Sequence, residues 1–556
     1  MRGVFRQHWE TIQSDLNRGW DMVRHRGPGQ LSFWFIALLL GVVAGLGAIG
    51  FRFAVEVLQA ALYGTEDVNM LASWAGELHW ALVLLIPVCG GVVVGLILQR
   101  FTPDGRVRSV GDVIEGAALN DGRVERRAGV ASVLCSWITL STGGSTGREG
   151  PVVHMAALAS TWMANRLGVD GITGRDLLGC AVAAAVSASF NAPIAGALFA
   201  LEVVLRHFAL HAFAPIVVAS AAGTVVNRLV YGDVTEFILP GTTTVEFYLE
   251  LPAFFLLGLV CGIIAVAMIR AIFFADDVET ELQKRLGLPR WLRPAVAGLL
   301  LGALAIWFPH IIGVGYETTS LALSGQLLMW EALVFAIIKV IAVSITIAGR
   351  MGGGIFSPSL MVGALTGLTF GHLATALVPE ASSAFTLYAL AGMGAVAAAV
   401  LGAPISTTLI VFELTGDWQT GLAVMISVSM STALASRVVH RSFFLTQLER
   451  RKVALAAGPQ AYLLGMFRVK GVMRKPTDEG AADEDVCLEM VEQGLYVQLN
   501  ATLKTALPLL DSSTKPFLPV VTMEDGQPVL QGALFHVDAL KAYNRALAAT
   551  AEEEHS

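Results

Sequence analysis

Between Ala332 and Phe412 the chain runs for 81 residues with three charged side chains, Lys339, Arg350 and Glu380. A soluble core helix is not apolar for that long, so lipid must solvate this stretch. The shortage is wider than one segment: charged residues make up 15% of the 556, against about 25% in an ordinary soluble protein. It is also uneven, because from Arg441 to the end 27 of 116 residues are charged, close to the ordinary share. A hydrophobic content of 55% excludes a disordered chain. A net charge of −7 without a basic stripe excludes a nucleic-acid binder.

The expected organisation follows. Residues 1–30 form an amphipathic cytoplasmic segment with five arginines among three acids, and no signal peptide is predicted because no short apolar core with a cleavage site follows. An all-α polytopic membrane domain is expected over 31–440, in two repeats at about 31–230 and 248–440. Its length allows roughly 16–20 helices at about 20–25 residues per span. Ser145–Leu167 and Gly352–His372 are read as too broken by Gly and Pro to cross alone, and broken helices belong where they line a pathway. Arg-rich flanks at Arg2–Arg26 and Arg437–Lys452 predict both termini in the cytoplasm, hence an even number of crossings. The expected location is a bacterial plasma membrane. Residues 441–556 form a small cytoplasmic α/β domain, with a helix over Thr502–Leu509 and strands Phe517–Val521 and Val529–Leu534 around the turn Glu524-Asp525-Gly526. The five cysteines have no paired spacing and read as small core residues.

The strongest pattern is an internal repeat. Ala192-Pro193-Ile194 precedes Glu202, and Ala403-Pro404-Ile405 precedes Glu413, each glutamate nine residues after its proline. Small-residue runs, Cys180–Ala188 and Ala391–Val400, stand before both. Further upstream lie two Gly-rich breaks that end in proline, Gly147-Arg148-Glu149-Gly150-Pro151 and Gly354-Ile355-Phe356-Ser357-Pro358. The upstream prolines are 207 residues apart and the downstream ones 211. Such duplication is frequent in transporters. Chance similarity of low-complexity apolar segments is the bland alternative, and four features in the same order weigh against it.

A Gly-rich break before a Pro-started helix leaves backbone N–H groups aimed beyond the helix N-terminus, where the macrodipole favours an anion. Two such starts, one per half, predict an anion site made without a full positive charge, weak enough to release a monovalent ion. Glu149 stands in one of these starts. As a carboxylate it can occupy the anion site when ionised and swing away when protonated. The alternative is a carboxylate that only stabilises the helix start, but intramembrane acids are functional by default. Glu202 and Glu413, which are repeat-related, read at least as well as structural.

One competing motif exists. Gly143-Gly144-Ser145-Thr146-Gly147 matches the G-x-S-x-G nucleophile elbow, which requires a preceding strand and Asp and His partners. Here the preceding segment reads as helical, so no enzyme is expected. The 11 histidines have no metal-ligand spacing, and His154 reads as a satisfied helix residue.

On these residues the chain resembles the CLC family of chloride channels and proton/chloride antiporters over about 31–450. The Gly147–Pro151 and Gly354–Pro358 segments are similar to the family's gating-glutamate and second anion-site motifs. Ser189-Phe190-Asn191-Ala192-Pro193-Ile194-Ala195-Gly196 and Glu413-Leu414-Thr415 match as well. The resemblance implies inverted halves with broken helices, a homodimer in the lipid bilayer with one ion pathway per subunit, chloride as the transported ligand, and no cofactor. It makes Glu149 the gate, and gives chloride binding to Ser109, Gly150, Ile355, Phe356 and Phe444.

Three departures stand out. Of the family's first motif, Gly-Ser-Gly-Ile-Pro, only Ser109 survives in register. The pore tyrosine aligns with Phe444 or Phe443, which removes a phenol donor. The inner proton-transfer glutamate of the antiporters is Val203, which carries no proton. The last favours a passive voltage- or pH-gated chloride channel, with a proton-coupled antiporter as the alternative and a secondary transporter of fluoride, nitrate or a carboxylate as a further one. The tail, at about 468–548, resembles one degenerate CBS motif, through Val469-Lys470-Gly471-Val472-Met473, Pro519-Val520-Val521 and Gly532. Such motifs usually pair and bind adenine nucleotides, so a single copy is either half of a nucleotide site shared across a dimer or, the favoured reading, a domain without a ligand.

Overall fold

The computed structural model describes residues 30–555, apart from 66, 68–69, 209, 233–249, 380–383, 417, 454–463, 465–466, 479, 514 and 525–526. Residues 1–29 of the expected amino-terminal segment, Glu380, Asp417 and the turn residues Asp525 and Gly526 lie outside the described residues. The chain forms two compact units, one holding most of the chain up to Val453 and the other built chiefly from Ala454–Ser556.

The first unit is helical. Among the described residues, eight helices are long and apolar enough to cross a membrane, from Leu31–Tyr63 to Thr420–Arg450, so the chain is a multi-pass membrane protein. With the shorter helices among them, the described residues up to Arg450 form 18 α-helices, within the expected 16–20. Many of the remaining helices are short and packed inside the unit, and a helix shielded by protein need not cross the bilayer alone. One expected broken segment carries a longer helix than read, since Phe356–Leu377 has 22 residues and the length and composition of a span.

Eight helices carry the repeat: α1 (Arg126–Ser141), α2 (Glu149–Leu167), α3 (Gly171–Phe190), α4 (Pro193–Phe199), α5 (Met329–Ala348), α6 (Phe356–Leu377), α7 (Phe385–Leu401) and α8 (Pro404–Thr415). The duplication is visible in the backbone itself. Arg148 and Ile355, the residues before α2 and α6, have φ/ψ of −87°/−19° and −98°/−7°. Asn191 and Gly402 end α3 and α7 in the left-handed conformation, at φ 56° and 71°. Ala192 and Ala403 are then extended, and proline starts the next helix.

Small residues set the packing. Every residue of α3 from Gly174 and every residue of α7 from Thr386 is buried. Gly363, Gly367 and Gly371 recur every four residues and form a ridge on α6 against α7. A methyl group on Gly367 would stand 2.1 Å from the Tyr388 carbonyl oxygen, and one on Gly363 2.4 Å from that of Gly392. Bare backbone here permits the close helix contact on which packing in lipid depends. The few membrane charges are paired locally. Arg52 bridges Glu56 one turn on at 2.7 Å, and the fully buried Lys339 donates to the carbonyls of Ile311 and Gly313 at 3.3 and 3.1 Å.

The second unit has a three-stranded sheet of β1 (Val497–Gln498), β2 (Phe517–Glu524) and β3 (Gln527–Phe535). β1 is parallel to β2, and β2 is antiparallel to β3 with a bulge at Val520/Val521. The expected strands are longer than read, because polar ends such as Thr522 and Glu524 stay in register with β3. Its core gathers Val469, Cys487, Leu503, Leu518, Val520 and Leu534. The cavity beside Arg474 and Gly532 holds about 10 Å³, room for no more than one water.

Gly367→Ala is expected to destabilise the membrane unit by about 1–3 kcal/mol, the usual range for overpacking a filled core. Thermal unfolding in detergent checks it, with Leu365→Met as a volume-matched control at a neighbouring buried position.

Candidate functional site

The Gly-rich breaks before α2 and α6 meet. Gly147 N donates to Gly354 O at 2.7 Å, and Gly354 N donates to Gly147 O at 2.8 Å, a two-bond antiparallel bridge between the halves. Thr146 Oγ1 adds a bond to Gly354 O at 2.8 Å. The approach needs glycine on both sides, since a methyl group on Gly150 would be 2.9 Å from Gly354 Cα. Proline at the third position of each helix leaves its first-turn amides, those of Glu149 and Gly150 and of Phe356 and Ser357, without intrahelical acceptors. Two positive helix ends therefore share one junction.

Glu149 lies in that junction, 2% exposed. Its Oε1 accepts from Ser357 Oγ and from Tyr316 OH, the latter at 3.3 Å. Its Oε2 has no hydrogen-bond partner among the described residues and lies 2.7 Å from where a methyl on Gly147 would stand. Arg148 stacks its guanidinium 4.9 Å over the Tyr316 ring. Phe356 is buried against Phe190 and Phe199, with ring centroids 4.8 and 5.7 Å away.

Two cavities flank the junction. The larger, about 340 Å³, is lined by Ser109, Ile355, Phe443, Phe444, Gln447 and Gly352–Gly354. The smaller, about 50 Å³, is lined by Arg148, Tyr316, His310 and Glu317. Glu149 lines neither; of its hydroxyl partners, Tyr316 lines the smaller cavity and Ser357 is buried. The larger cavity also carries Arg106, Arg350, Arg450 and Arg451 against Asp276 and Asp277, a net positive rim suited to an anion. Burial, then the neighbouring charge of Arg293, lowers the Arg350 guanidinium to about 10, so it stays charged at neutral pH. Burial opposes ionisation of Asp104 nearby, but hydrogen bonds and charge from Arg108 and Arg106 hold it below the usual carboxylate range.

The structure thus brings Ser109, Ile355 and Phe444 to one cavity, and Glu149, Gly150 and Phe356 to the adjoining junction. Ser109 Oγ is directed at Gln447 Oε1 at 3.4 Å, while its amide is taken by Asp112 Oδ2 at 2.7 Å. Pro151 and Pro358 each sit in the first turn of their helix, as read. Val203 is buried in a π-helical turn, Ala200–Leu205, that continues α4. Three residues escaped the sequence reading as site residues. Gln447 lies one turn after Phe444 and has that spacing as its signal. Ser357 stands inside a quoted motif. Tyr316 arrives from a distant helix start and has no local signal.

Two further readings are decided. The Gly143–Gly147 stretch follows helix α1, not a strand, so the elbow geometry is missing. The reading of His154 as satisfied holds only in part: the ring is 1% exposed, the Ser109 backbone lies within its reach, and neither ring nitrogen completes a hydrogen bond of full geometry among the described residues.

Glu202 and Glu413 turn out to be reciprocal caps. Glu202 accepts from the amides of Ile405 and Ser406 at 2.9 and 2.8 Å, at the start of α8. Glu413 accepts from those of Ile194 and Ala195 at 3.0 and 2.8 Å, at the start of α4. Each half supplies the carboxylate that satisfies the other half's proline-started helix.

A multi-pass helical membrane fold with inverted halves, whose broken helices meet end to end around a buried acid, defines a class of ion-transport protein. A family model described as voltage gated chloride channel matches residues 90–436. The voltage-gated ClC-type chloride channel ClcB of Escherichia coli O17:K52:H18 (strain UMN026 / ExPEC) is 30% identical over 420 residues, covering 74% of this chain and 97% of the relative. Chloride channel protein CLC-f of Arabidopsis thaliana is 27% identical, over 92% of this chain and 69% of its own length. The crystal structure of a slow cyanobacterial Cl⁻/H⁺ antiporter superposes with a TM-score of 0.66 at 20% identity, covering 75% of this chain and 97% of that one. The chain belongs to the voltage-gated chloride channel (CLC) family.

Glu413→Ala is expected to lower stability by about 1–2 kcal/mol through loss of a helix cap, seen as a lower Tm in detergent, without changing anion selectivity. A change in selectivity with unchanged Tm would contradict the capping role.

Proposed function

We propose that this chain conducts chloride across a membrane as a passive channel, with Glu149 as its gate. The observation that carries this reading is the junction: two helix ends of positive polarity enclose one carboxyl side chain, so a diffusible anion and the Glu149 carboxylate compete for the same place. The amides around Gly150, Ile355 and Phe356 hold the anion, and Ser109 contributes a hydroxyl on the side of the larger cavity. Phe444 lines that cavity without a donor, which leaves the inner side more open. The names of the Escherichia coli and Arabidopsis relatives support chloride as the ion, and ClcB's name supports a channel. Val203, buried and without a titratable group, supports passive flow over coupling.

Proton-coupled exchange is the second reading, and one observation favours it. His154, five residues after Glu149 on α2, is a buried titratable group whose ring nitrogens complete no hydrogen bond of full geometry among the described residues. It offers a proton site where Val203 offers none.

The deciding measurement uses purified protein in liposomes. Chloride efflux is expected in wild type, and the pH dependence is expected to vanish in Glu149→Ala. A chloride gradient is expected to drive no uphill proton movement; proton uptake against its gradient would establish exchange instead. Fluoride and nitrate competing better than chloride would reassign the substrate. Ser109→Ala is expected to weaken chloride binding several-fold, about the loss of one hydrogen bond, read by calorimetry.

We also infer a homodimer. Ile194 and Ile405 are 56% and 47% exposed beside the half-exposed carboxylates of Glu413 and Glu202, and carboxylates facing lipid are costly. A second copy over this face removes that cost. Cross-linking in membranes is expected to trap a dimer, and Ile405→Trp to reduce it. Arg437–Lys452 and the basic amino-terminal flank support placing both ends in the cytoplasm.

A further inference from the structure

We infer that Ser357 and Tyr316 are positioning residues that latch the Glu149 carboxylate across the junction. The inference rests on Glu149 acting as the gate and adds what holds that gate shut. Three separate elements converge on one oxygen. Glu149 Oε1 belongs to the start of α2, Ser357 Oγ to the first turn of α6 in the other half, and Tyr316 OH to the start of the helix Tyr316–Leu323. Ser357 is 3% exposed, so water does not replace its hydroxyl when the bond breaks.

Both contacts are hydroxyl donors, and a carboxylate in the low dielectric of the junction is favoured in its charged, seated form by each donor it accepts. Protonation removes the charge that makes these bonds strong, and the carboxyl group is then released. Without the two hydroxyls the seated form loses its advantage, and release needs fewer protons.

Tyr316 is itself held. Arg148 stacks over its ring at 4.9 Å. Lys339 bonds the carbonyls of Ile311 and Gly313 just before it. Among the described residues, the charged and titratable groups on this side of the carboxylate are thus Arg148 on its own helix start, Tyr316 with Lys339 behind it, and Arg52, Glu56, His310 and Glu317 in the smaller cavity. Tyr316 lines that cavity, so the latch has one hydroxyl reachable from it and one buried in the protein.

The test is chloride efflux from liposomes across a symmetric pH series, for wild type, Ser357→Ala, Ser357→Thr, Tyr316→Phe, Glu149→Ala and the double variant Glu149→Ala/Ser357→Ala. Ser357→Ala is expected to move half-maximal flux about one pH unit towards neutral, equivalent to about tenfold more open gates at a fixed pH on the wild-type slope. Ser357→Thr, which keeps the hydroxyl, restores the wild-type profile. Tyr316→Phe keeps the ring under Arg148 and shifts the profile in the same direction. The double variant behaves as Glu149→Ala alone. Profiles of Ser357→Ala and Tyr316→Phe that superpose on wild type, while Glu149→Ala is pH-insensitive, overturn the latch and leave the gate standing. A Glu149→Ala variant that keeps the wild-type pH profile overturns the gate reading itself.

Discussion

Two backbone hydrogen bonds between Gly147 and Gly354 hold the membrane unit's functional centre together. They join the two halves at a place where both are unwound. An unwound backbone inside a membrane is tolerable only if its polar groups find partners. Here each break satisfies the other, and the amides left over face the anion position. The same constraint explains the side chains nearby: a Cβ on Gly147, Gly150 or Gly354 would intrude on the opposing backbone or on the Glu149 carboxylate.

Glu202 and Glu413 extend that logic to a second pair of helix starts. Neither α4 nor α8 can cap itself, because alanine precedes the proline in both. The acid late in the opposite half does it instead. The halves are therefore mutually dependent at two levels, through backbone at the junction and through carboxylates at these starts. The acids that look alike in sequence divide cleanly by surroundings. Glu202 and Glu413 each accept from two backbone amides at a helix start, Glu202 from the Ser406 hydroxyl as well, whereas the Glu149 partners among the described residues are two hydroxyls, which leave a carboxylate free to swing.

Much of the fold was legible in the chain. The charge shortage required lipid, and the Pro-to-Glu spacing of nine residues exposed the duplication, because a helix start and its packing leave a local signature in glycine, proline and small residues. The number of helices was legible, but which of them are long enough to cross the bilayer was not, since apolar length does not distinguish a lipid-facing helix from one wrapped in others. The surroundings of His154 were not legible for a related reason: hydrogen-bond satisfaction is a property of neighbours, and those neighbours are distant in sequence.

The sequence by itself determined that this is a duplicated membrane protein with broken helices, and that Glu149 sits at one break. These follow from periodicity and composition, which act over a turn or two of chain. Only the tertiary structure decided that the breaks meet, that Glu202 and Glu413 cap across the halves, and that Ser357, Tyr316 and Gln447 join the site. Such facts depend on which surfaces pack together, and Tyr316 reaches Glu149 across 167 positions of chain, a pairing that no local pattern encodes.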